Sequence, residues 1–310
     1  MQRRSLLPLL LAPLAAGALP RPLLAQTQAP AAATTPLPVV ASFSILGDLA
    51  AQVGGSRIAV RTLVGPDGDA HTYQPRPSDA AAIREARLVL RNGLNFEPWL
   101  DRLIRSAGTK AQVVTAAEGV ATRRMTGEDG HGHDSTDPHA WQNIANARIY
   151  LRNIAAALAA ADPEGAETYR ANASSADSRL AALDEWVRAQ VATVPAERRI
   201  VITSHDAFGY FGAAYGITFE APQGMSTESE PSAAQVAALI RQVRARHVTA
   251  VFVENMTNPA TLDRLAKDAG VTVRGELFSD ALSRPGEGAE TYEAMMRHNV
   301  GLLVPAMRGG

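Results

Sequence analysis

Arg199-Ile200-Val201-Ile202-Thr203-Ser204-His205-Asp206-Ala207-Phe208-Gly209-Tyr210-Phe211 is an apolar run that breaks at a histidine and gives way to a helical phase. The β-favouring residues Ile200 to Thr203, followed by Ser-His-Asp, read as a buried parallel strand whose carboxyl end carries an imidazole into a strand-to-helix turn. Open α/β sheets bind their ligands at such ends. Three further residues hold comparable places: His71 after Gly65-Pro66-Asp67-Gly68-Asp69-Ala70, His139 in Asp137-Pro138-His139-Ala140-Trp141, and Asp280 after Leu277-Phe278-Ser279.

Outward from this stretch, strands are expected at 200–203, 217–221, 250–253 and 271–277, alternating with helices at 208–215, 232–246, 259–269 and 290–303. The first half repeats the alternation, with strands at 38–44, 58–64 and 88–92 and helices at 45–53, 78–86 and 98–106. Short connections between alternating strands and helices predict a parallel sheet wrapped on both faces in each half. Between the halves, Asp137-Pro138 reads as the N-cap and first residue of a helix from His139 to about Ala161. Asp162-Pro163 repeats the device and opens a longer helix to about Val194, with Tyr169, Ala173, Ala176, Leu180, Leu183, Val187 and Val191 on one face. At ~1.5 Å per residue this helix reaches about 45 Å, longer than a small lobe is wide. It is expected to be a spine joining two α/β lobes, the alternative being an amphipathic helix lying on one lobe. The expected order is signal peptide 1–25, flexible leader 26–37, N-terminal lobe 38–162 with a mobile loop at 123–136, linking helix 163–194 and C-terminal lobe 195–310.

Met1-Gln2-Arg3-Arg4 followed by an apolar stretch to Ala12 has the form of a secretory signal, with cleavage expected after Ala25 or near Ala16. No other apolar run approaches the ~20 residues needed to span a bilayer. The sequence contains no cysteine, which removes disulfides, thiolate metal sites and a lipid-anchored N-terminal Cys together. The expectation is therefore a soluble protein of the periplasm, exported without a lipid anchor. Residues 1–25 hold three arginines and no acids, so their loss leaves 27 Lys and Arg against 31 Asp and Glu, a net charge of −4. A mildly acidic chain with no basic block excludes a nucleic-acid partner.

Taken singly, each of the four residues has an ordinary reading. His205 can bond across a turn, His71 can be exposed in a Gly/Pro/Asp loop, and Asp280 can be a loop aspartate. His139, near a helix start, would face the positive end of the dipole, which disfavours imidazolium and keeps the ring neutral as a ligand must be. Together, three imidazoles and one carboxylate make a closed ligand set for a divalent metal at the seam between lobes. His247 and His298 read as structural or solvent-facing. His131 and His133, flanked by Glu128, Asp129 and Asp134, are either an accessory metal-capture tract or a plain loop. Asp206 and Glu254 both qualify as acceptors that orient a ligating imidazole, and no sequence feature decides between them.

Five segments in this order resemble the periplasmic substrate-binding proteins of zinc and manganese ABC transporters: Gly65 to Pro75, Asn92-Gly93-Leu94-Asn95-Phe96-Glu97, Asp137 to Trp141, Ser204 to Phe211, and Ser279-Asp280. The resemblance runs from about Val39 to the C-terminus. It implies two α/β lobes bridged by one long helix, with a metal held between them by His71, His139, His205 and Asp280. A histidine at the third position is similar to the zinc-type proteins, where many manganese-type ones have glutamate. Three nitrogen donors also suit zinc, whereas manganese prefers more oxygen. The sequence departs from many zinc-type proteins in having only His131 and His133 where they carry a long His-rich loop.

The function so implied is capture of Zn2+ as cargo, with Mn2+ as the alternative, by a monomer that delivers the ion to an inner-membrane ABC permease. A periplasmic metallochaperone or adhesin would share the site. A secreted zinc hydrolase would need an open coordination position and a general base. No His-Glu-x-x-His pattern occurs, and Asp280 would fill the position of the water, so the chain is not expected to be an enzyme.

Overall fold

A computed structural model describes residues 35–125, 135–228 and 231–309. Its first lobe contains β1 (Leu37–Phe43), α1 (Ser44–Gly54), β2 (Ile58–Val64), α2 (Pro77–Glu85), β3 (Leu88–Arg91), α3 (Leu100–Ala107) and β4 (Gln112–Thr115). All four strands are parallel, in the order β2-β1-β3-β4. The strand β4 was not expected from the sequence. It is a four-residue edge strand with Val113 38% exposed, so neither length nor an apolar run marks it.

Next come β5 (Arg124–Met125) and β6 (Ser135–Thr136), an antiparallel pair in the register Arg124↔Thr136. The flanks of the stretch expected to be a mobile loop are thus hydrogen-bonded to each other. His131 and His133 lie outside the described residues.

The helix expected from His139 starts later, as α4 (Ile144–Ala161), capped by Asn143, whose Oδ1 accepts the Ala145 N–H at 3.0 Å. Ahead of it Ala140–Gln142 form a single 3-10 turn. The carboxylate of Asp137, expected to cap a helix, is instead taken by His139. The long helix follows as α5 (Ala166–Ala192), after a 3-10 turn at Pro163–Gly165 that Asp162 caps.

The second lobe is built from β7 (Ile200–Ile202), α6 (Gly209–Tyr215), β8 (Thr218–Glu220), α7 (Ala233–Ala245), β9 (Ala250–Glu254), α8 (Ala260–Ala269), β10 (Val273–Leu277) and α9 (Tyr292–Arg308). Its strands, again all parallel, run β8-β7-β9-β10. Counted within each lobe, both sheets have the order second, first, third, fourth. Each therefore has a crevice at the carboxyl ends of its first and third strands, where the winding reverses.

The face of α5 that carries Tyr169, Ala173, Ala176, Leu180, Leu183, Val187 and Val191 is buried. It packs on α1 and α4 of the first lobe and on α6 and α9 of the second. One apolar cluster runs from Val39 in β1 through this face to Met307 in α9, and a smaller one lies under α7 and α8 around Leu239, Val251 and Leu265. The lobes thus share a core, and rotating one on the other would expose apolar surface at about 25 cal/mol per Å².

Candidate metal centre

Each of the four candidate residues sits where a strand ends or the chain crosses between lobes. The loop after β2 delivers His71, whose backbone N–H donates to Asp69 Oδ1 at 2.8 Å. His139 precedes the 3-10 turn, and Asp137 Oδ1 accepts both its backbone N–H (3.0 Å) and its ring Nδ1–H (2.9 Å). His205 follows β7, and Asp280 lies three residues beyond the end of β10.

The segment before Asp280 is fixed from two sides. Asn299 of α9 bonds both backbone groups of Phe278, and the Trp141 indole (2.9 Å) and Gln142 amide (2.8 Å) both donate to the Ser279 carbonyl. Trp141 and Gln142 therefore tie the His139 turn to the Asp280 loop. This explains why the chain there does not start a regular helix.

All four side chains are buried, and their donor atoms lie within 4.8 Å of one another. The Nε2 of His71 is 3.3 Å from that of His139 and 3.2 Å from Asp280 Oδ2. His205 Nε2 is 3.2 Å from Asp280 Oδ2, and His139 Nε2 is 3.6 Å from Asp280 Oδ1. Four donors placed tetrahedrally 2.0–2.1 Å from a zinc ion stand about 3.3–3.4 Å apart. The observed separations have that scale.

Two rings have a carboxylate behind them. Asp137 holds Nδ1 of His139, and Glu254 Oε2 lies 2.7 Å from Nδ1 of His205, close enough for an ion pair though off the line of a well-formed hydrogen bond. Glu254 Oε1 also accepts the His205 backbone N–H at 2.8 Å. Strand register explains the pairing, because Val201↔Ala250 and Ile202↔Val251, continued three residues, set Glu254 opposite His205. Of the two acceptors left open by the sequence, Glu254 is in place; Asp206 bonds through its backbone to Gly224. Sequence reasoning missed the orienting role of Asp137. Its signal is the Asp-x-His spacing, which occurs at both Asp69–His71 and Asp137–His139. The helix dipole invoked for His139 does not act there, since α4 begins five residues later.

Burial would lower the basicity of His139, but Asp280 and Asp137 outweigh it and raise its pKa to about 9. For His205, Glu254 and Asp280 likewise outweigh burial and hold the ring well above the usual histidine range. Burial would raise the Asp280 carboxyl, but His139 and His205 carry it well below the usual carboxylate range. Neither Asp280 oxygen has a hydrogen-bond partner, nor does His205 Nε2, among the described residues. A fully buried carboxylate left this way is costly unless a cation completes it. The donor set fits a divalent ion, and an arriving ion would have to displace protons.

Comparison with known proteins agrees with this geometry. The family described as zinc-uptake complex component A, periplasmic (ZnuA), matches residues 39–306. The manganese-binding lipoprotein MntA of Halalkalibacterium halodurans is 36% identical over 271 residues, 87% of this chain and 88% of that one. The manganese ABC transporter substrate-binding lipoprotein PsaA of Streptococcus pneumoniae is 30% identical over 270 residues, 85% and 86% of the two chains. Among solved structures, the periplasmic zinc binding protein TroA from Treponema pallidum superposes with a TM-score of 0.82 at 29% identity, over 88% of this chain and 99% of that one. The manganese-bound periplasmic metal binding protein from Candidatus Liberibacter asiaticus gives 0.78 at 27% identity, over 87% and 98%.

The expectation of a periplasmic protein without a lipid anchor is overturned by these relatives, since both MntA and PsaA are lipoproteins. That expectation rested on a missing residue type, and no residue in the chain spoke for it directly.

Proposed function

Because the chain belongs to the zinc-uptake complex component A family, the metal-binding substrate-binding proteins of ABC transporters, we propose that His71, His139, His205 and Asp280 bind one Zn2+ ion as cargo for an ABC permease. The observation that carries this reading is the buried Asp280 carboxylate, both of whose oxygens lack hydrogen bonds among the described residues while facing three imidazole Nε2 atoms at 3.2–3.6 Å. Three nitrogen donors at tetrahedral separations favour zinc. All four donors come from one chain, so a single copy suffices to hold the ion.

Manganese is the second reading, and two observations favour it. The relatives MntA and PsaA are manganese proteins by name, and both oxygens of Asp280 face the site, so a bidentate carboxylate could raise the coordination number. The family is one of transport proteins, and no enzymatic role is proposed.

A competitive chelator titration of the metal-free protein with Zn2+ and then Mn2+, repeated on His205→Ala, tests the assignment. One tight zinc site, weaker manganese binding and a marked loss in the variant are expected. Manganese binding as tight as zinc would move the assignment to the second reading, and an unaffected variant would refute the ligand set.

A further inference from the structure

His71 differs from the other two imidazoles. Asp137 and Glu254 stand behind the rings of His139 and His205, but no carboxylate pairs with the remaining nitrogen of His71 among the described residues. Its ring is instead edge-on to Phe96, with centroids 4.8 Å apart. What holds His71 is its backbone, through Asp69. The Oδ1 of Asp69 accepts the His71 N–H, and its Oδ2 accepts the Thr72 hydroxyl at 2.8 Å and, from the other lobe, the Thr227 hydroxyl at 2.6 Å.

Thr227 belongs to the segment after β8. Its neighbours Met225, Ser226 and Glu228 line a cavity of about 550 Å³ that reaches His71, with Leu94 and Pro98 on the facing lobe. The root of the His71 loop is held several times over, by Asn255 and Arg284 on the Asp67 carboxylate (3.0 and 3.3 Å) and by the Leu282 carbonyl on the Asp67 N–H (3.1 Å). At its tip the Trp99 indole of the same lobe donates to the Ala70 carbonyl at 2.7 Å, and the contact across the seam is the Thr227 hydroxyl on Asp69. A shared core resists rotation of whole lobes, so this seam contact is the place where the site can open locally.

The geometry points to Asp69 and Thr227 as a latch across the seam that keeps His71 on the cargo ion, with opening of this contact setting the rate at which the ion leaves. This rests on the proposed function. Asp69 and Thr227 are positioning residues, since neither is among the four donors. With the latch closed, Asp69 fixes the backbone of His71 while the 223–228 segment stays over the cavity. With it open, the segment and the loop tip part together, and the one imidazole without a carboxylate behind it is the first to be released.

The test is zinc release from the loaded protein into excess chelator, followed by stopped flow, with zinc uptake measured separately, for wild type, Thr227→Val and Thr227→Ser. Valine keeps the shape and removes the hydroxyl, and serine keeps the hydroxyl. Release from Thr227→Val is expected to be roughly ten- to a hundredfold faster, the worth of a hydrogen bond to a charged acceptor. Uptake should be unchanged, the metal-free Thr227→Val protein should stay folded with a melting temperature lower by a few degrees, as the loss of one hydrogen bond requires, and Thr227→Ser should melt and release as wild type does. Wild-type release from Thr227→Val, or equally fast release from both variants, would overturn the latch. A wild-type protein that takes up no zinc would overturn the reading beneath it, and the latch with it.

Discussion

Glu254→Gln changes one atom and leaves the side-chain shape intact. Glu254 is buried at the end of β9, with Oε1 on the His205 backbone N–H at 2.8 Å and Oε2 2.7 Å from Nδ1. In both contacts the carboxylate is the acceptor, and a carboxamide can accept through only one end. If its oxygen stays on the backbone N–H, its NH2 faces Nδ1, and the ring proton must move to Nε2, the atom 3.2 Å from Asp280. If the amide flips, two donors meet at the backbone. Either way a charged acceptor is lost, from Nδ1 or from the backbone N–H, and removing such a partner from behind a metal-bound histidine is expected to cost about ten- to a hundredfold in affinity. Competitive chelator titration against wild type measures this, with circular dichroism confirming that the metal-free variant is folded. Wild-type zinc affinity in a folded Glu254→Gln protein would refute the argument that Glu254 sets the His205 tautomer.

Asp280→Asn removes the charged ligand of the set and is expected to weaken zinc by at least about a hundredfold, read by the same titration; a loss of less than tenfold would contradict it. The His139 pKa is about 9 in the folded, metal-free protein against about 6.5 unfolded. Its contribution to metal-free stability is therefore full below about pH 6.5 and lost as pH rises through about 9. Zinc stabilisation should grow over the same range as the ligands shed protons. Melting curves of metal-free and zinc-loaded protein from about pH 6 to about pH 9.5 should converge at the acid end and separate at the alkaline end, and parallel curves would contradict this. Gly212→Ala would bring a Cβ to 2.5 Å from the Ile217 carbonyl. It should destabilise by about 1–3 kcal/mol in a thermal melt while leaving zinc affinity at room temperature unchanged.

Much of the fold was legible because each lobe repeats strand and helix at short intervals, and because the α5 stripe from Tyr169 to Val191 keeps one helical face apolar over its whole length. The strand β4 was not legible, since an edge strand buries too little to write an apolar run. At the site, the positions of His205 and Asp280 follow from where β7 and β10 end. Asp-Pro is a common helix opening and so points to a helix at His139, but two long-range contacts, Trp141 and Gln142 on the Ser279 carbonyl, hold that turn in another shape. The pairing of Glu254 with His205 needed the register of β7 against β9, which depends on strand order and cannot be read from either strand alone. The bond from Thr227 to Asp69 joins residues 158 apart in sequence, with no periodic pattern in either segment to announce it.

The most direct measurement is an anomalous-difference map at the zinc edge from crystals of the protein loaded with one equivalent of Zn2+. The ligand set predicts a single strong peak about 2.0–2.2 Å from Nε2 of His71, His139 and His205 and from the Asp280 carboxylate. A peak elsewhere in the chain, or one that leaves any of these four beyond bonding distance, would contradict it.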